Sequence, residues 1–448
     1  MLHNQQVIVV GLGKSGTSAA KLCLALGAKV LGTDAMPLAQ LGDAVRSLGI
    51  PIVAGGHDGV RFEEADCVVV SPGVPTLPEL ARAESRGVLV IGELELAARN
   101  LRAPIVAVGG TNGKSTTTTL VGDLLEPSAG KGKVFVGGNL GTPACEAALM
   151  GGFDTVVFEV SSFQLERAPS FKPRVSVLLN VSEDHLDRYP NLAAYAHAKG
   201  NAFAQQTLDD VAIYPMGDVE CERQARRGRG RRLTFGGRGA DYALDGTTIV
   251  EQSTGERFEL GDSRLFGRHN HLNAAAAIAT ARALGVAADS VRSSLRAFTP
   301  LPHRMALAGE VAGVRFYDDS KGTNVGASVT ALLGLAEPRG VLIAGGRDKL
   351  GSYEPLVAAL QQKGRAAVLI GEAAERIAEA IGDRLPVVRA TSMQQAVRAG
   401  FELAEPGDAV LLSPACSSFD MFRDYADRGD RFVAEVSELR STRKGEGA

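Results

Sequence analysis

Val108-Gly109-Gly110-Thr111-Asn112-Gly113-Lys114-Ser115-Thr116 follows the apolar run that begins at Ile105 and precedes Thr117 to Leu125, a stretch able to wind into a helix. Strand, glycine loop and helix in that order describe a phosphate cradle, because backbone N–H groups and a helix N-terminus favour anionic oxygens. Lys114 supplies a compact positive charge for outer phosphates. The hydroxyl of Ser115 or Thr116 can ligate the magnesium that travels with ATP. The spacing is shorter than in the usual P-loop, since only Gly110, Thr111 and Asn112 separate Gly109 from Gly113-Lys114. A glycine turn with a solvated lysine is the plainer alternative; the strand–loop–helix context favours the cradle.

Working outward, the 448 residues suggest about three domains of ~150 residues each. Hydrophobic residues at 45% and charged residues at 22% are those of an ordinary globular chain with a sizeable core. A net charge of −3 gives no global attraction to nucleic acid or to an anionic membrane, so a small phosphorylated ligand fits the phosphate loop better. Cys23, Cys67, Cys145, Cys221 and Cys416 are odd in number, scattered and without CxxC spacing, which argues against a disulfide framework or zinc site and for a reducing cytosol. No signal peptide opens the chain and no apolar run is long enough to span a bilayer, so a soluble, cytoplasmic protein is expected.

Upstream, the short strand Val7 to Val10 runs into Gly11-Leu-Gly13-Lys14-Ser15-Gly16, then a helical stretch through Leu26, then a strand from Lys29 to Thr33 ending at Asp34. This is a dinucleotide-type fingerprint: Gly11 for the tight turn, Gly13 for approach to a diphosphate, Gly16 for helix packing, and Asp34 where a ribose-binding acid belongs. The same geometry serves NAD or any nucleotide diphosphate, so the ligand stays open. Strands at Cys67 to Val70 and Val88 to Ile91 continue a β-α alternation. Ser71-Pro-Gly73-Val74 follows the first of these, either lining the same crevice or forming an ordinary turn.

Downstream, Ala103-Pro104 marks a boundary before the phosphate loop. Thr155 to Val160 carries Glu159 near its end, and Val175 to Leu179 runs into Asn180-Val-Ser-Glu-Asp-His185. A carboxylate at that edge can hold Mg²⁺ or order a water, and His185 can ligate or transfer a proton. On a helix over 191–206, Lys199 shares the apolar face with Leu192, Tyr195, Ala202 and Phe203. Either its stem snorkels to water or the amine is held near the active site. The arginines between Arg223 and Arg232 lack interleaved aromatics and read as a solvated loop rather than a nucleic-acid patch. After a hairpin-like stretch, Asn270 and Asn273 open an alanine-rich helix, as caps or as base-edge partners. Beyond a second linker at 299–302 lie Arg304, Asp319, Lys321 and Lys349, the last three at strand exits, which suggests a third α/β unit lending charges to a shared cleft.

The ordered motifs Gly-Thr-Asn-Gly-Lys-Ser-Thr (110–116), Gly-Gly-Asn-Leu-Gly (137–141), Glu159 with Ser-Ser-Phe-Gln-Leu, Asn-Val-Ser-Glu-Asp-His-Leu-Asp (180–187), His-Asn-His-Leu-Asn (269–273), Pro-His-Arg (302–304) and Asp-Ser-Lys-Gly-Thr-Asn (319–324) resemble the Mur ligases from end to end, most closely those that add glutamate. The shortened phosphate loop is that family's own form. The resemblance implies an α/β protein of three domains, each on a mainly parallel sheet: a Rossmann-like UDP-substrate domain (1–95), a central P-loop ATPase-like domain (96–298) and a Rossmann-like domain for the incoming amino acid (299–448). It implies ATP-dependent ligation of glutamate, D-glutamate being expected, to UDP-N-acetylmuramoyl-L-alanine through an acyl phosphate, in peptidoglycan precursor synthesis, by a monomer.

On the same resemblance, Lys114, Glu159, His185 and Lys199 are catalytic. Gly110, Thr111, Asn112, Gly113, Lys114, Ser115 and Thr116 hold ATP phosphates, Asn270, Asn273, Arg304 and Asp319 the adenosine, and Lys321 the phosphates. Two Mg²⁺ sites are implied, one at Ser115 and Glu159, one at His185 and a carbamylated Lys199. Gly11, Gly13, Lys14, Ser15, Gly16, Asp34, Ser71, Gly73 and Asn139 serve the UDP-substrate, and Thr323, Lys349, Ser418 and Tyr425 the glutamate. Tyr425 stands where the family pattern has Phe, and Ala306 where an acid often follows His-Arg. A folate-type glutamate ligase lacks the amino-terminal GxGxxG unit. A diamino-acid-adding relative would carry Asp-Asn-Pro-Arg, absent here. A nucleotide-binding regulator or NAD dehydrogenase is the alternative from another class.

Overall fold

The computed structural model describes residues 2–185, 188–261, 263–348 and 351–446, with side chains as far as Arg443. Its strands fall into three sheets. The first, order β3-β2-β1-β4-β5, comprises β1 (Gln6–Val10), β2 (Lys29–Asp34), β3 (Ile52–Ala54), β4 (Cys67–Val70) and β5 (Leu89–Gly92), all parallel. The second comprises β6 (Ile105–Gly109), β7 (Val134–Gly138), β8 (Thr155–Glu159), β9 (Val175–Leu178), β10 (Val211–Pro215), β11 (Arg231–Gly236), β12 (Tyr242–Asp245), β13 (Thr248–Glu251) and β14 (Arg257–Glu259). Its order is β14-β13-β12-β11-β10-β9-β6-β8-β7, with the hairpin β12–β13 antiparallel. The third comprises β15 (Ala306–Val311), β16 (Val314–Asp318), β17 (Gly340–Gly345), β18 (Gly364–Ile370), β19 (Val387–Arg389) and β20 (Ala409–Leu412), in the order β15-β16-β20-β17-β18-β19. Only its edge pair β15–β16 is antiparallel among the pairings β15–β16, β16–β20, β20–β17, β17–β18 and β18–β19.

The central strands are unbroken runs such as Val7–Val10 and Ile105–Val108, buried along their length, because helices cover both faces of a parallel sheet. β1 lies between β2 and β4, and β6 between β8 and β9, so chain order reverses at each of these strands. Such switch points open a crevice at the strand C-terminus, and both glycine loops leave from there.

By contacts the chain divides into two compact units: Met1–Val181, His185–Phe258 and Ala275–Ser294 form one, and Ser182–Asp184, Glu259–Ala274 and Leu295–Ala448 the other. The first unit carries the first two sheets on one apolar core running from Val9 and Leu94 through Phe135 and Phe158 to Ala202. Polar ties cross the same junction. Gly92 N–H donates to the Arg167 carbonyl at 2.7 Å, and Arg167 pairs with Glu84 at 2.7 Å. Glu93 accepts from Cys145 N–H at 2.6 Å, and Glu95 accepts from Ser170. The five cysteines are free and buried. No helix among the described residues is long and apolar enough to cross a membrane.

The solvated loop expected at 223–232 is confined to 226–230, although Arg223, Arg226, Arg229, Arg231 and Arg232 are all exposed. The helix Val219–Ala225 occupies its start and β11 begins at Arg231. Arg223 and Arg226 pair with Glu220 and Glu222 on their own helix, and Arg227 is half-buried against a neighbouring one.

Candidate functional site

The phosphate loop turns from β6 into the helix Lys114–Ala129, entered through Gly113 at φ 84° with no side-chain cap. Its first-turn N–H groups therefore have no capping oxygen from the preceding residue's side chain, the arrangement that suits an anion. Asn180, at the exit of β9, clasps the loop from the side. Its Oδ1 accepts Asn112 N–H at 2.9 Å, its Nδ2 donates to the Asn112 carbonyl at 3.1 Å, and its own carbonyl accepts Thr111 N–H at 3.0 Å. The motif 180–187 opens with Asn180, and its place directly after a strand that ends beside the loop is the signal in the sequence for this role. Lys114 Nζ donates to the Thr111 carbonyl at 2.7 Å, folded back over its own loop.

Glu159, at the end of β8, is 3% exposed. Ser115 Oγ donates to one of its oxygens and Asn139 Nδ2 to the other, at 2.7 Å. Three strand exits, β6, β7 and β8, thus bring a hydroxyl, an amide and a carboxylate together. The Ser115 hydroxyl and the Glu159 carboxylate are hard oxygen ligands, the carboxylate oriented by the Asn139 N–H. Magnesium at nucleotide sites takes one or two carboxylates and completes its shell with water and substrate phosphates. Among the described residues no three His, Cys, Asp or Glu side chains form a metal cluster.

Lys199 lies on the helix Leu192–Ala204, is 3% exposed, and donates from Nζ to the Gly110 carbonyl at 2.8 Å. The snorkelling alternative is excluded by that bond. The amine also sits 4.3 Å from the centre of the Tyr195 ring. His185, with φ 55°, packs edge-on to Phe163 at 4.8 Å, within a cluster that includes Tyr189 and Tyr195. Burial of Lys199 against the Tyr195 ring strengthens its polar contact to the loop, while His185, packed on Phe163, stays exposed to solvent.

At the first switch point, Gly13 caps the helix Lys14–Ala25 without a side-chain bond, Lys14 is exposed and Ser15 half-buried in its first turn. Asp34 is buried, and its carboxylate accepts Leu12 N–H at 2.5 Å and Met36 N–H at 2.8 Å. Both oxygens hold the loops of this crevice. Ser71 Oγ donates to the Gly11 carbonyl at 2.6 Å, joining the Ser71–Gly73 turn to the glycine loop.

In the second unit, Asp318 and Asp319 leave β16 together. His303 Nδ1 shares a 2.6 Å bond with Asp318, which raises the His303 pKa above its usual value. Burial pushes the Asp319 carboxyl up to about 7, against the pull of a 2.8 Å bond from Ser413 and of nearby Arg304. Lys321 N–H donates to the His303 carbonyl at 3.1 Å, and Lys321 Nζ lies 3.6 Å from the centre of the Tyr425 ring. Thr323 N–H donates to the Lys321 carbonyl at 2.8 Å. Ser418 is buried, its carbonyl accepting Phe422 N–H at 2.9 Å. Lys349 lies outside the described residues. Asn270 and Asn273 are buried inside their helix, Asn270 donating to the Phe266 carbonyl at 2.8 Å and Asn273 to Asn270 at 3.2 Å. Arg428, fully buried, donates to Ser320 Oγ at 2.9 Å, the Ser320 carbonyl at 2.8 Å and the Cys416 carbonyl at 3.2 Å. Sequence reasoning missed it, since an arginine in a charged helix carries no mark of burial.

A phosphate loop at a parallel-sheet switch point, with a buried carboxylate across from its serine, has the geometry of a nucleotide-dependent phosphoryl-transfer enzyme. Family models agree region by region: a Mur ligase MurD-like N-terminal domain matches residues 5–92, a Mur ligase middle domain 108–281, and a Mur ligase glutamate ligase domain 303–416. The UDP-N-acetylmuramoylalanine–D-glutamate ligase of Desulfosudis oleivorans is 44% identical over 449 residues, covering 98% of this chain and 97% of that protein. Its counterpart in Anaeromyxobacter dehalogenans is 45% identical, covering 98% of each. Among solved structures, the UDP-N-acetylmuramate–alanine ligase MurC of Thermotoga maritima superposes with a TM-score of 0.60 at 20% identity, over 97% of this chain and 100% of that one. The MurF ligase of Thermotoga maritima in complex with ADP gives 0.62 at 19%, over 99% and 96%. The chain belongs to the Mur ligases and, within them, to the UDP-N-acetylmuramoylalanine–D-glutamate ligase family.

Proposed function

We propose that this chain joins D-glutamate to UDP-N-acetylmuramoyl-L-alanine at the expense of ATP, in peptidoglycan precursor synthesis. The observation that carries the reading is the convergence of Ser115 and Asn139 on Glu159 beside the Lys114 loop, in a chain 44% identical end to end to a protein of that name. The substrate's alanyl carboxylate attacks the γ-phosphorus of ATP, releasing ADP and leaving an acyl phosphate. The amine of D-glutamate then adds to the acyl carbon, and collapse of the tetrahedral intermediate expels phosphate and leaves the amide.

Lys114 and the N–H groups of Gly110 and Gly113 hold the phosphates, with Thr111 and Asn112, whose own N–H groups are held by Asn180, and Ser115 and Thr116 completing the loop. Lys114 offsets charge that develops in both steps. Ser115 and Glu159 hold one magnesium, His185 and a carbamylated Lys199 a second; when bound, the ions supply charge neutralisation at the transferring phosphoryl group. Gly11, Gly13, Lys14, Ser15, Gly16, Ser71 and Gly73 take the UDP moiety, with Asp34 shaping their loop, and Asn139 the muramoyl portion. Asn270, Asn273, Arg304 and Asp319 are assigned to the adenosine, Lys321 to phosphate, and Thr323, Lys349, Ser418 and Tyr425 to glutamate. We place the boundaries of the three domains at 95/96 and 298/299, and the protein in the cytoplasm as a monomer.

The test is incubation with ATP, Mg²⁺ and UDP-N-acetylmuramoyl-L-alanine, adding D- or L-glutamate separately and measuring phosphate and product mass. Phosphate and a glutamyl product are expected with the D-enantiomer. Phosphate release that depends on neither would overturn the reading.

A further inference from the structure

The arginine-rich stretch 223–232, which begins in the helix Val219–Ala225, has no part in the chemistry above, yet one of its members reaches the helix that carries Lys199. Arg227 Nη1 donates to the His197 carbonyl at 2.5 Å, and Nη2 donates to Asn201 Oδ1 at 2.7 Å. His197 and Asn201 lie two residues to either side of Lys199. At about 100° per residue that is the face turned away from the lysine. Arg227 therefore grips the back of the helix whose front delivers Nζ to the Gly110 carbonyl. Gly200 permits the approach, because a Cβ there would lie 2.1 Å from Gln224 Oε1 and 2.5 Å from Arg227 Nη1.

Asn201 carries the linkage onward. Its Nδ2 donates to the Leu165 carbonyl at 3.0 Å, in the helix Ser162–Glu166, whose Phe163 ring meets His185 edge-on at 4.8 Å. One guanidinium thus fixes the rotation and height of the Lys199 helix and, through Asn201, ties it to the element against His185. The other arginines of the stretch differ. Arg223 and Arg226 are exposed and pair with glutamates of their own helix, and Arg232 is exposed on β11.

We propose that Arg227 is a positioning residue for ligation, bracing the Lys199 helix so that the amine and the aromatic wall around His185 keep their places beside the phosphate loop. The proposal rests on the ligase reading above and adds to it the element that sets the lysine's position. It acts through geometry, so its loss lowers turnover more than substrate binding. A misplacement of about 1 Å can cost on the order of a hundredfold in rate.

The experiment compares the full-length wild type with Arg227→Ala, Arg227→Lys and Arg232→Ala, following D-glutamate-dependent phosphate release and melting temperature. Arg227→Ala is expected to lose about ten- to hundredfold in kcat, with KM for all three substrates changed by no more than about twofold. Added guanidinium ion should restore part of that kcat, and Arg232→Ala should match wild type. If Arg227→Ala does not fold, Arg227→Lys decides, since lysine keeps the charge but cannot span both acceptors: lower kcat at unchanged melting temperature supports the brace. Wild-type kcat in either Arg227 variant overturns it, whatever the melting temperature, and so does a defect confined to the KM of one substrate. A wild type without glutamate-dependent phosphate release would instead defeat the ligase reading.

Discussion

Lys199 Nζ donates to the main-chain carbonyl of Gly110 across 89 residues of chain, joining the helix Leu192–Ala204 to the first turn of the phosphate loop. A cation this buried is costly unless its environment answers it, and here a carbonyl and the face of Tyr195 do so. Carbamylation would exchange the cation for an anion with two oxygen donors, the form that could hold magnesium. Lys199→Ala is expected to lower kcat by on the order of a hundredfold, the usual cost of one electrostatic group at such a site. Wild-type protein incubated with labelled bicarbonate should show a carbamate carbon that the variant lacks. Full activity in Lys199→Ala would remove the residue from the mechanism, and absence of the carbamate signal in wild type would remove the modification.

Glu159 is held by Ser115 on one oxygen and Asn139 on the other, so its charge and its hydrogen bonds can be separated. Glu159→Gln keeps an acceptor for Ser115 but discards the negative charge. If that charge holds a metal ion, turnover should fall by roughly a hundredfold or more, and raising Mg²⁺ should recover part of it. Ser115→Ala should show a smaller loss with the same dependence. Turnover in Glu159→Gln that matched wild type at every Mg²⁺ concentration would reassign the carboxylate to loop support.

The glycines of the first loop divide by what surrounds them. A Cβ on Gly16 would lie 1.7 Å from the Gly11 carbonyl oxygen, whereas one on Gly13 would have nothing within 4 Å. Gly16→Ala must therefore displace backbone at the heart of the first sheet, and it is expected to lower stability by about 3 kcal/mol or more. Gly13→Ala should melt like wild type. Its methyl would point into space we assign to the UDP diphosphate, so KM for the nucleotide sugar should rise tenfold or more, about 1.4 kcal/mol, with KM for ATP unchanged. Equal affinities in Gly13→Ala and wild type would move the diphosphate elsewhere.

The three sheets were readable because parallel strands are continuous valine- and isoleucine-rich runs that end in glycine or charge, and the site lies at those endings. The face of Lys199 was readable from helical spacing, and the bond to Gly110 agrees with it. What escaped depends on contacts between distant segments. Asp34 at a strand end looks the same whether its carboxylate faces a ribose or, as here, the N–H groups of Leu12 and Met36. Arg227 and Arg428 read as surface charge, since only the approach of another helix or loop buries them. Glu93 and Glu95 are carboxylates of a short helix, a residue type seldom fully covered, yet the junction of the first two sheets covers both.

That junction gives a prediction in pH. Glu93 is 1% exposed; one oxygen accepts Cys145 N–H, and the other accepts no hydrogen bond from the described residues. Burial pushes its pKa up from 4.5 to about 7, with Glu146 adding to the rise and the Cys145 bond opposing it. The folded chain keeps this proton to about pH 7 while the unfolded chain releases it near 4.5, so across that window the folded state binds more protons and stability falls as pH rises. The shift corresponds to on the order of 3 kcal/mol, fully present below pH 4.5 and lost by about pH 8. Asp319 and His303 give slopes of the same sign, and His269, whose burial lowers its pKa to about 4, the opposite one, so removing Glu93 should reduce the dependence by its own share rather than abolish it. In Glu93→Gln the amide brings its own cost of a buried donor, but that cost does not change with pH and cancels when the variant is compared with wild type at pH 5 and again at pH 8. The melting temperature of the variant should therefore fall less than that of wild type between the two. Parallel curves would mean that Glu93 is already ionised in the fold, and that the junction tolerates a buried charge its geometry does not explain.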